Sequence, residues 1–506
     1  MNPHPSPRGP RHAVALAAVL LAALSSACGG GPSSTTGLPE DATREVTLVD
    51  RDRDGLPEPG PGEPLVDRTA AAPAAPTGEE LARVGVLSDL HARDEESPAR
   101  ATFLDRLGGT LTEAFRPHEA LSAQVADAAV RSLNAQEPEA ALVLGDSADN
   151  AQRNELRLVG RLLNGGRAGR AGLDSGARGY DGVQLASNPD PFIYRPAVDP
   201  PRRPDLLTDA QRPFDAPGLD VPWFPVMGNH DLLVQGEVPP TARLQAVATG
   251  GEAVERLDRQ DAEALDISDD PGLAPETVAS VLRGGPPGDT APVPADADRA
   301  LAGEQEASDL LRSAAERSGA RMRGREGAPG RLDYSADLGG RVRLIVLDVV
   351  QREGGAGGTV TAGQRAWLAE QLRAAGDRWV LVATHQPLAD AAGGEEALAL
   401  LDEHPRMLAV LNGHTHEHEI TRREDFWLVG TASLADWPMQ GRMLRVVATR
   451  GGGAALETWV VDHDGEGLAG DARELAHLDA QGGRPDGARG GSDDRNVRLF
   501  VPPPQR

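Results

Sequence analysis

Five short clusters in this 506-residue chain combine carboxylate, imidazole and amide side chains in a spacing that suits metal binding. The clusters are Ser88-Asp89-Leu90-His91, Gly145-Asp146-Ser147-Ala148-Asp149-Asn150, Gly228-Asn229-His230-Asp231, Ala383-Thr384-His385 and Gly413-His414-Thr415-His416. Oxygen and imidazole ligands without a thiolate favour manganese, iron or zinc over calcium or a structural zinc site. Such a number of donors is too large for one catalytic ion, but it suits two ions about 3.5 to 4 Å apart that share a carboxylate. The candidate metal ligands are Asp89, His91, Asp146, Asn229, His385, His414 and His416.

Each cluster follows a short apolar run of the kind that forms a strand buried on both faces. These runs are Val84–Leu87, Ala140–Leu144, Trp223–Met227, Trp379–Ala383 and Met407–Leu411, and a sixth run at Val342–Leu347 has no such cluster after it. Apolar residues at helical spacing predict helices over Leu121–Leu133, Gln152–Leu163 and Gly363–Leu372. Strands that alternate with helices predict an α/β fold, in which functional residues collect in loops beyond the strand ends.

Each cluster taken alone has an ordinary interpretation. A single histidine after a strand is more often a satisfied polar residue than a ligand. Gly-Asp and Gly-Asn pairs are common turn residues. Five such clusters in order, each directly after a predicted buried strand, favour one shared metal site over five unrelated turns.

Composition narrows the functions that this chain can have. A formal net charge of −26 argues against a general nucleic-acid binder, because that affinity depends on basic surface that neutralises phosphates. The single cysteine excludes an intramolecular disulfide framework and any multi-cysteine zinc site. Since only 3% of the residues are aromatic, the core must be built mainly from Val, Leu, Ile and Ala.

Residues 1–28 have the pattern of a signal peptide of the lipoprotein type. A basic start precedes the apolar run Ala13–Leu24, which is too short to span a bilayer comfortably and ends in small residues before Cys28. Cys28 resembles the lipidated cysteine of a lipobox, although Ser25 stands where Leu is usual. We expect an exported protein, held by a lipid on Cys28 at the outer face of the bacterial cytoplasmic membrane. The alternative is a secretory signal whose cysteine is incidental.

Local composition divides the remaining chain into three predicted parts. Residues 29–80, rich in Gly, Pro, Ser, Thr and Ala, are expected to form a flexible tether. Residues 81–480 are expected to form the folded domain, with long inserts near residues 151–221 and 239–331, the second built from short helices broken by Pro and Gly. Residues 481–506 are expected to form a mobile tail in which Val497–Val501 adds a strand.

The ordered motifs Asp-x-His, Gly-Asp-x-x-Asp, Gly-Asn-His-Asp, a lone His and Gly-His-x-His resemble those of the calcineurin-like metallophosphoesterase superfamily. The resemblance covers about Leu81–Leu468. It implies a four-layer α/β/β/α sandwich with long loop inserts, two divalent metal ions and hydrolysis of phosphoric esters. Asp149 stands where purple acid phosphatases carry a metal-bound Tyr, which disfavours that branch. Three further stretches resemble a large-insert branch known mainly from actinobacterial genomes: Ser97-Pro98-Ala99-Arg100, Asp149-Asn150-Ala151-Gln152-Arg153-Asn154-Glu155 and Asp436-Trp437-Pro438.

The resemblance also implies how the candidate ligands divide between the two ions. Its ligands for the first ion are Asp89, His91 and His416. Its ligands for the second ion are Asn229, His385 and His414, with Asp146 as the bridge between the ions.

The expected chemistry is attack of a metal-bound hydroxide on phosphorus, because coordination brings the pKa of water toward neutrality. The Asn229 amide would bind a phosphoryl oxygen. His230 would protonate the leaving oxygen as general acid, with Asp231 setting the orientation of its ring. Arg93 and Arg100 lie just beyond the first cluster, where they would either grip substrate phosphate by a bidentate fork or stay as solvated loop charges.

The sequence leaves the substrate open between phosphodiesters and phosphomonoesters, which the inserts would select by walling the site. A second function class is also consistent with it, namely a non-catalytic surface lipoprotein that binds metal or a phosphate ligand. The complete ligand set favours the enzyme, because degenerate members of enzyme families normally lose ligands.

Overall fold

The structure is a computed structural model that describes residues 42–69, 76–100, 115–168, 179–188, 193–256, 289–325, 328–463, 465–482 and 488–504. The predicted signal peptide with Cys28 lies outside these residues, as do residues 29–41 of the predicted tether. No helix in this part of the chain has the length and apolar character needed to cross a membrane.

The described residues form strands and helices in alternation. The strands are β1 Val46–Val49, β2 Glu58–Pro61, β3 Val66–Arg68, β4 Pro76–Leu87, β5 Ala140–Val143, β6 Gly166–Ala168, β7 Phe214–Ala216, β8 Trp223–Pro225, β9 Glu252–Arg256, β10 Asp289–Pro292, β11 Arg323–Gly324, β12 Tyr334–Leu338, β13 Val342–Val346, β14 Trp379–Ala383, β15 Met407–Asn412, β16 Glu419–Arg423, β17 Phe426–Gly430, β18 Gln440–Thr449, β19 Ala454–Asp462 and β20 Val497–Val501. The helices are α1 Ser122–Ala135, α2 Arg153–Asn164, α3 Leu206–Ala210, α4 Ala242–Ala248, α5 Glu304–Arg317, α6 Ala362–Ala375, α7 Gly394–Asp402, α8 Gly467–Gln481 and α9 Ser492–Arg495, with 3₁₀ turns at Glu119–Leu121 and Ala297–Arg299. The six apolar runs and three helical patterns of the sequence all form the predicted kind of element.

Two seven-stranded mixed sheets carry the fold. The first has the strand order β3-β20-β19-β18-β4-β5-β8, and the second has the order β11-β12-β13-β14-β15-β17-β16. Strands β4, β5 and β8 are parallel in the first sheet. Strands β13, β14, β15 and β17 are parallel in the second. The predicted α/β class is confirmed, and the strands that precede the five polar clusters are the parallel ones.

Side chains of the second sheet alternate between two cores. Leu381 and Ala383 of β14 belong to the large core that also contains Val84 of the first sheet. Val380 and its neighbours on the opposite face pack with Leu368 of α6. This alternation follows from the period of two along a strand. Because both faces are covered, the strand sequences are apolar throughout rather than alternating.

Residues 42–69 differ from the flexible tether predicted over residues 29–80. Strand β1 pairs with β2, and β3 pairs in parallel with β20 at the edge of the first sheet. Thr43 is buried, and its hydroxyl donates a hydrogen bond to the carbonyl oxygen of Val460 at 3.0 Å. The Asn496 amide donates to the Thr43 hydroxyl at 2.9 Å. Pairing with the end of the chain imposes this order, which local Gly- and Pro-rich composition does not reveal.

The mobile tail predicted over residues 481–506 is corrected in the same way. The strand predicted at Val497–Val501 is present as β20 and lies inside the first sheet, between β19 and β3. Helix α9 precedes it, and Arg495 at the end of this helix is buried and paired with Glu63 at 2.7 Å. The last part of the described chain is therefore part of the folded domain.

The second insert contains more regular structure than the short helices predicted for it. Helix α5 has 14 residues and buries Ala307 and Leu311 on one face. It packs against α2, where Arg153 pairs with Glu306 at 2.5 Å. The buried guanidinium of Arg299 also binds Asp94 in the loop after β4, at 2.8 Å. The insert is thus attached to the loops that follow β4 and β5.

Candidate metal centre

All seven predicted ligands lie in loops at the carboxyl ends of parallel strands. Asp89 and His91 follow β4, Asp146 follows β5, Asn229 follows β8, His385 follows β14, and His414 and His416 follow β15. Backbone hydrogen bonds hold these loops side by side, including His91 N–H to the carbonyl oxygen of Asp146 at 2.9 Å and Gly413 N–H to that of His385 at 3.1 Å. The two sheets therefore present their functional loops at a common site, as parallel α/β sheets do.

Five of the seven ligands have left-handed backbone conformations, which are uncommon for residues other than glycine. The residues and their φ angles are Asp89 at 49°, His91 at 43°, Asp146 at 45°, His414 at 71° and His416 at 59°. Each such residue costs about 1 kcal/mol or more and persists only where the surrounding structure enforces it. Sharp turns at these positions direct the side chains into one space.

The first group of ligands contains Asp89, His91 and His416, whose ligand-type atoms all lie within 4.8 Å of one another. His416 Nε2 lies 3.3 Å from Asp89 Oδ1. All three side chains are buried. This is the set that the resemblance assigns to the first ion.

The second group contains Asp146, His385 and His414, with ligand-type atoms within 4.8 Å of one another. His385 Nε2 lies 3.0 Å from Asp146 Oδ2 and 3.1 Å from Asn229 Oδ1. His414 is half-buried, whereas the other members are buried. Asn229 thus joins the group as predicted.

Asp146 lies between the two groups. Its Oδ2 atom is 3.9 Å from His91 Nε2 of the first group and 3.0 Å from His385 Nε2 of the second. Its other oxygen, Oδ1, accepts a hydrogen bond from the backbone N–H of His230 at 2.8 Å, which fixes the carboxylate plane. One oxygen directed at both groups is the position that a bridging ligand requires.

The donor set fits two divalent cations. His91 Nε2 is buried and has no hydrogen-bond partner, although a buried polar nitrogen normally has one. Burial lowers the pKa of His91 to about 4, so the ring is neutral near pH 7. Its Nδ1–H donates to Asp149 Oδ1 at 2.9 Å, which leaves the Nε2 lone pair free to coordinate.

The other imidazoles respond to the two carboxylates. Burial opposes the charged ring of His385, but Asp146 and Asp89 outweigh it and raise its pKa to about 9. Burial is likewise outweighed at His416, where Asp89 and Asp436 raise the pKa to about 10. Protons on these rings balance the buried carboxylates, and metal binding to such a site releases protons because the ligands must be deprotonated.

A second layer of acceptors orients the imidazoles. His416 Nδ1–H donates to Asp436 Oδ2 at 2.5 Å, and His385 Nδ1–H donates to the carbonyl oxygen of Leu144 at 2.7 Å. With Nδ1 protonated, Nε2 of each ring faces the ligand group. Sequence reasoning quoted Asp436 only within a family resemblance and missed this role.

We expect Asp436→Asn to weaken metal binding by about 10- to 100-fold, the usual cost of losing a partner of a ligating histidine. The amide keeps the size of the side chain but removes the charge that holds His416 Nδ1–H. Calorimetric titration of metal-free protein with Mn²⁺ measures the change. Asp479→Asn is the matched control, because Asp479 Oδ2 also faces Arg116, at 3.9 Å, but Asp479 has no recorded contact with His416. Equal affinities for the wild type and Asp436→Asn would contradict the prediction.

His230 lies beside the first group, but its partner differs from the one predicted. Its ring is 4.6 Å from that of His91, and its Nδ1–H donates to the carbonyl oxygen of Asp149 at 2.7 Å. Asp231 instead accepts from the backbone N–H groups of Ala148 and Gly228, both at 2.9 Å. The expected pairing of Asp231 with His230 is therefore wrong. Asp231 binds two loops together, while a backbone carbonyl sets the His230 ring.

Arg93 and Arg100 are buried, so the alternative of solvated loop charges is wrong. Glu119 accepts from both guanidinium groups, at 2.7 Å from Arg93 Nη1 and 2.5 Å from Arg100 Nη2. Asp149 lies 3.1 Å from Arg93 Nη2. These contacts direct both arginines toward carboxylates of the chain itself, and through Asp149 toward His91, rather than toward a phosphate. Glu119 precedes α1 and carried no signal in the sequence.

Comparison with known proteins gives only distant matches. No protein-family model matches the sequence, and no curated protein matches it. Among solved structures, a dimetal phosphatase from Danio rerio is 13% identical with a TM-score of 0.36 over 76% of this chain and 100% of that one. A purple acid phosphatase from yellow lupin seeds is 11% identical with a TM-score of 0.31 over 80% of this chain and 54% of that one. A putative 5'-nucleotidase from Staphylococcus aureus is 14% identical with a TM-score of 0.20 over 29% and 33%. Similarity this low assigns no activity, so the function has to be inferred from the side chains.

Proposed function

We propose that this protein is a metal-dependent hydrolase of phosphate esters with a dinuclear centre, acting on phosphodiesters or phosphomonoesters. The observation that carries the proposal is the position of Asp146 Oδ2 between two ligand groups, 3.9 Å from His91 Nε2 and 3.0 Å from His385 Nε2. Two divalent ions held there, whether manganese, iron or zinc, would supply Lewis acidity toward phosphoryl oxygens and lower the pKa of water.

The chain itself would bind phosphate and move a proton. Asn229 Nδ2 donates one hydrogen bond to the carbonyl oxygen of Gly236 at 3.1 Å, and its second N–H is suited to a phosphoryl oxygen. The Nδ1–H of His230 is held by the Asp149 carbonyl, so Nε2 is the atom that would give a proton to the leaving oxygen. We assign His230 as general acid, oriented by that carbonyl and not by Asp231.

We further propose that the chain is a calcineurin-like metallophosphoesterase of the large-insert type, with two sheets packed between helical layers. Val84 of the first sheet and Leu381 of the second share one core, while the other face of the second sheet packs on α6. The polar loops of both sheets meet in one site, as this architecture requires. The inserts would then select between ester classes.

His230→Ala is expected to lower turnover by about 10²- to 10⁴-fold while metal content stays unchanged. The measurement is hydrolysis of bis(4-nitrophenyl) phosphate and 4-nitrophenyl phosphate with added Mn²⁺, alongside metal analysis. The loss should be smaller for nitrophenyl esters than for an alkyl phosphate ester, because a poor leaving group needs the proton more.

The control for this experiment is His404→Ala, a half-buried histidine before β15 with no recorded contact to the site. The same rates in the His230→Ala variant as in the wild type would refute the assignment of the general acid. A wild-type protein that binds two metal ions but hydrolyses no ester would instead support the non-catalytic metal- or phosphate-binding surface protein.

We also propose export with a lipid anchor on Cys28, supported by the apolar run and small residues before this cysteine. Cys28→Ala is expected to shift the protein from the membrane fraction to the soluble fraction of the expressing bacterium, because the thiol carries the lipid. Immunoblotting of the two fractions measures the shift, and Ser26→Ala is the control. A Cys28→Ala protein that stays with the membrane would contradict anchoring at this residue.

A further inference from the structure

A cavity of about 620 Å³ lies outside the metal centre, and none of the seven predicted ligands lines it. Its wall comes from four parts of the chain that are distant in sequence: the turn after β1, residues 115–117, the first insert and helix α8. The volume is within the range of small-molecule sites, which are mostly apolar with a few placed polar groups.

The lining combines aromatic rings with acidic side chains. Phe115 and Tyr194 contribute rings, and three carboxylates line the same space, those of Asp54, Glu474 and Asp479. Burial raises the pKa of Tyr194 to about 12, so its phenol stays neutral. No arginine or histidine is among the lining residues that the structure describes. Ring faces and carboxylates both attract an ammonium group, and neither attracts an anion.

The basic groups nearest the cavity leave an excess of negative charge. Arg203 pairs with both Asp471 and Glu474 of α8. Arg116 pairs with Asp436 at 2.6 Å and faces Asp479 at 3.9 Å. One guanidinium is therefore shared between two acids at each of these places. Asp54 is exposed, and its Oδ1 accepts from the backbone N–H of Leu56 at 2.9 Å.

We propose that this cavity is a binding site for a small organic cation, with an ammonium group on an aromatic or aliphatic body. The body would pack against Leu56, Leu478 and the two rings, while the ammonium group would lie among the three carboxylates. The assignment is independent of the proposed function, because none of its groups is a predicted metal ligand.

The segment 115–118 separates this cavity from the metal centre. Phe115 and Pro117 line the cavity. Arg116 and His118 contact the loop that holds His416, through Asp436 Oδ1 at 2.6 Å and the carbonyl oxygen of Ala435 at 2.7 Å. Two side chains, Arg116 and Asp436, thus stand between the cavity and His416. A ligand in the cavity is expected to bind whether or not the metal centre is loaded.

The test is calorimetric titration of the full chain with 2-phenylethylammonium and with 2-phenylethanol, its neutral counterpart of the same shape, before and after metal removal. We expect one saturable site per chain, at least about tenfold tighter for the ammonium than for the alcohol, and no dependence on metal. Asp54→Asn should weaken the ammonium about fivefold. Asp52→Asn should leave it unchanged, because Asp52 lies in the same turn but outside the cavity.

Three results would overturn the proposal. Equal affinity for ammonium and alcohol would remove the role of the carboxylates. Loss of ammonium binding on metal removal would place the ligand at the metal centre. Equal weakening by Asp54→Asn and Asp52→Asn would show a general charge effect. Because the first two comparisons use the wild-type chain, they decide the matter even where a variant fails to fold.

Discussion

Asp146→Asn is expected to lose metal from both positions and to lower phosphate-ester turnover by at least about a thousandfold, since dinuclear centres contribute several kcal/mol of charge stabilisation. The substitution keeps the size of the side chain and its Oδ1 acceptor for the His230 N–H, but it removes the negative charge between the two ligand groups. Metal analysis after gel filtration and rates with bis(4-nitrophenyl) phosphate measure the two losses.

The control for this variant is Asp462→Asn. Asp462 is also buried, and its Oδ1 accepts from Gln440 Nε2 at 2.7 Å at the end of β19, away from every predicted ligand. Asp462→Asn should therefore keep two metal ions and full turnover. An Asp146→Asn protein with the same metal content and rate as the wild type would rule out the bridging position.

Gly228→Ala is expected to damage the site nearly as strongly, although it removes no functional group. A Cβ atom at Gly228 would lie 2.1 Å from both the backbone nitrogen and Oδ1 of Asp146, so the bridging residue must move. Such overpacking lowers the free energy of unfolding by about 1 to 3 kcal/mol. A displacement of about 1 Å at a catalytic group lowers turnover about 100-fold. Thermal unfolding and ester hydrolysis measure the two effects.

Gly160→Ala provides the matched substitution elsewhere. Gly160 lies inside α2, where the nearest atoms to an added Cβ are 3.7 Å away, so the extra methyl fits. In a helix interior this change stabilises by about 0.5 to 1 kcal/mol. Wild-type metal affinity in the Gly228→Ala variant would show that the turn tolerates a side chain and that Asp146 is not held as described.

The sequence predicted the ligand positions well because their signals are local. An apolar run identifies each strand, and the polar cluster directly after it identifies the loop at the carboxyl end. Since parallel strands share that edge, residues as distant in the chain as Asp89 and His416 were expected at one site. Their Nε2 to Oδ1 distance of 3.3 Å agrees with that expectation.

Side-chain direction could not be predicted from adjacency. Asp231 follows His230 directly, which suggested a pair, yet the turn directs its carboxylate to the Ala148 and Gly228 amides. Partners that come from distant loops were missed for a similar reason. Glu119 and Asp436 have no preceding strand signal, and only the folded chain places them against Arg93, Arg100 and His416.

Order at the chain ends also depends on distant pairing. Residues 42–69 have the composition of a linker, and nothing within them predicts that β3 lies beside β20. Burial of Thr43 against Val460 is equally invisible to local composition. Tertiary contacts therefore override a propensity that would otherwise favour a flexible segment.

The position of β20 between β19 and β3 also governs the order in which the chain can fold. Strand β3 ends at Arg68, but its only partner in the first sheet begins at Val497, close to the last residue to be synthesised. Strand β4, which leads to Asp89, pairs on one side with β18, which begins at Gln440. Closing such long loops is slow, and domains otherwise fold from the end that is made first. A chain interrupted before β18 has the strands of the first polar clusters but not the neighbour that fixes β4, so the metal centre forms only after most of the protein has been made.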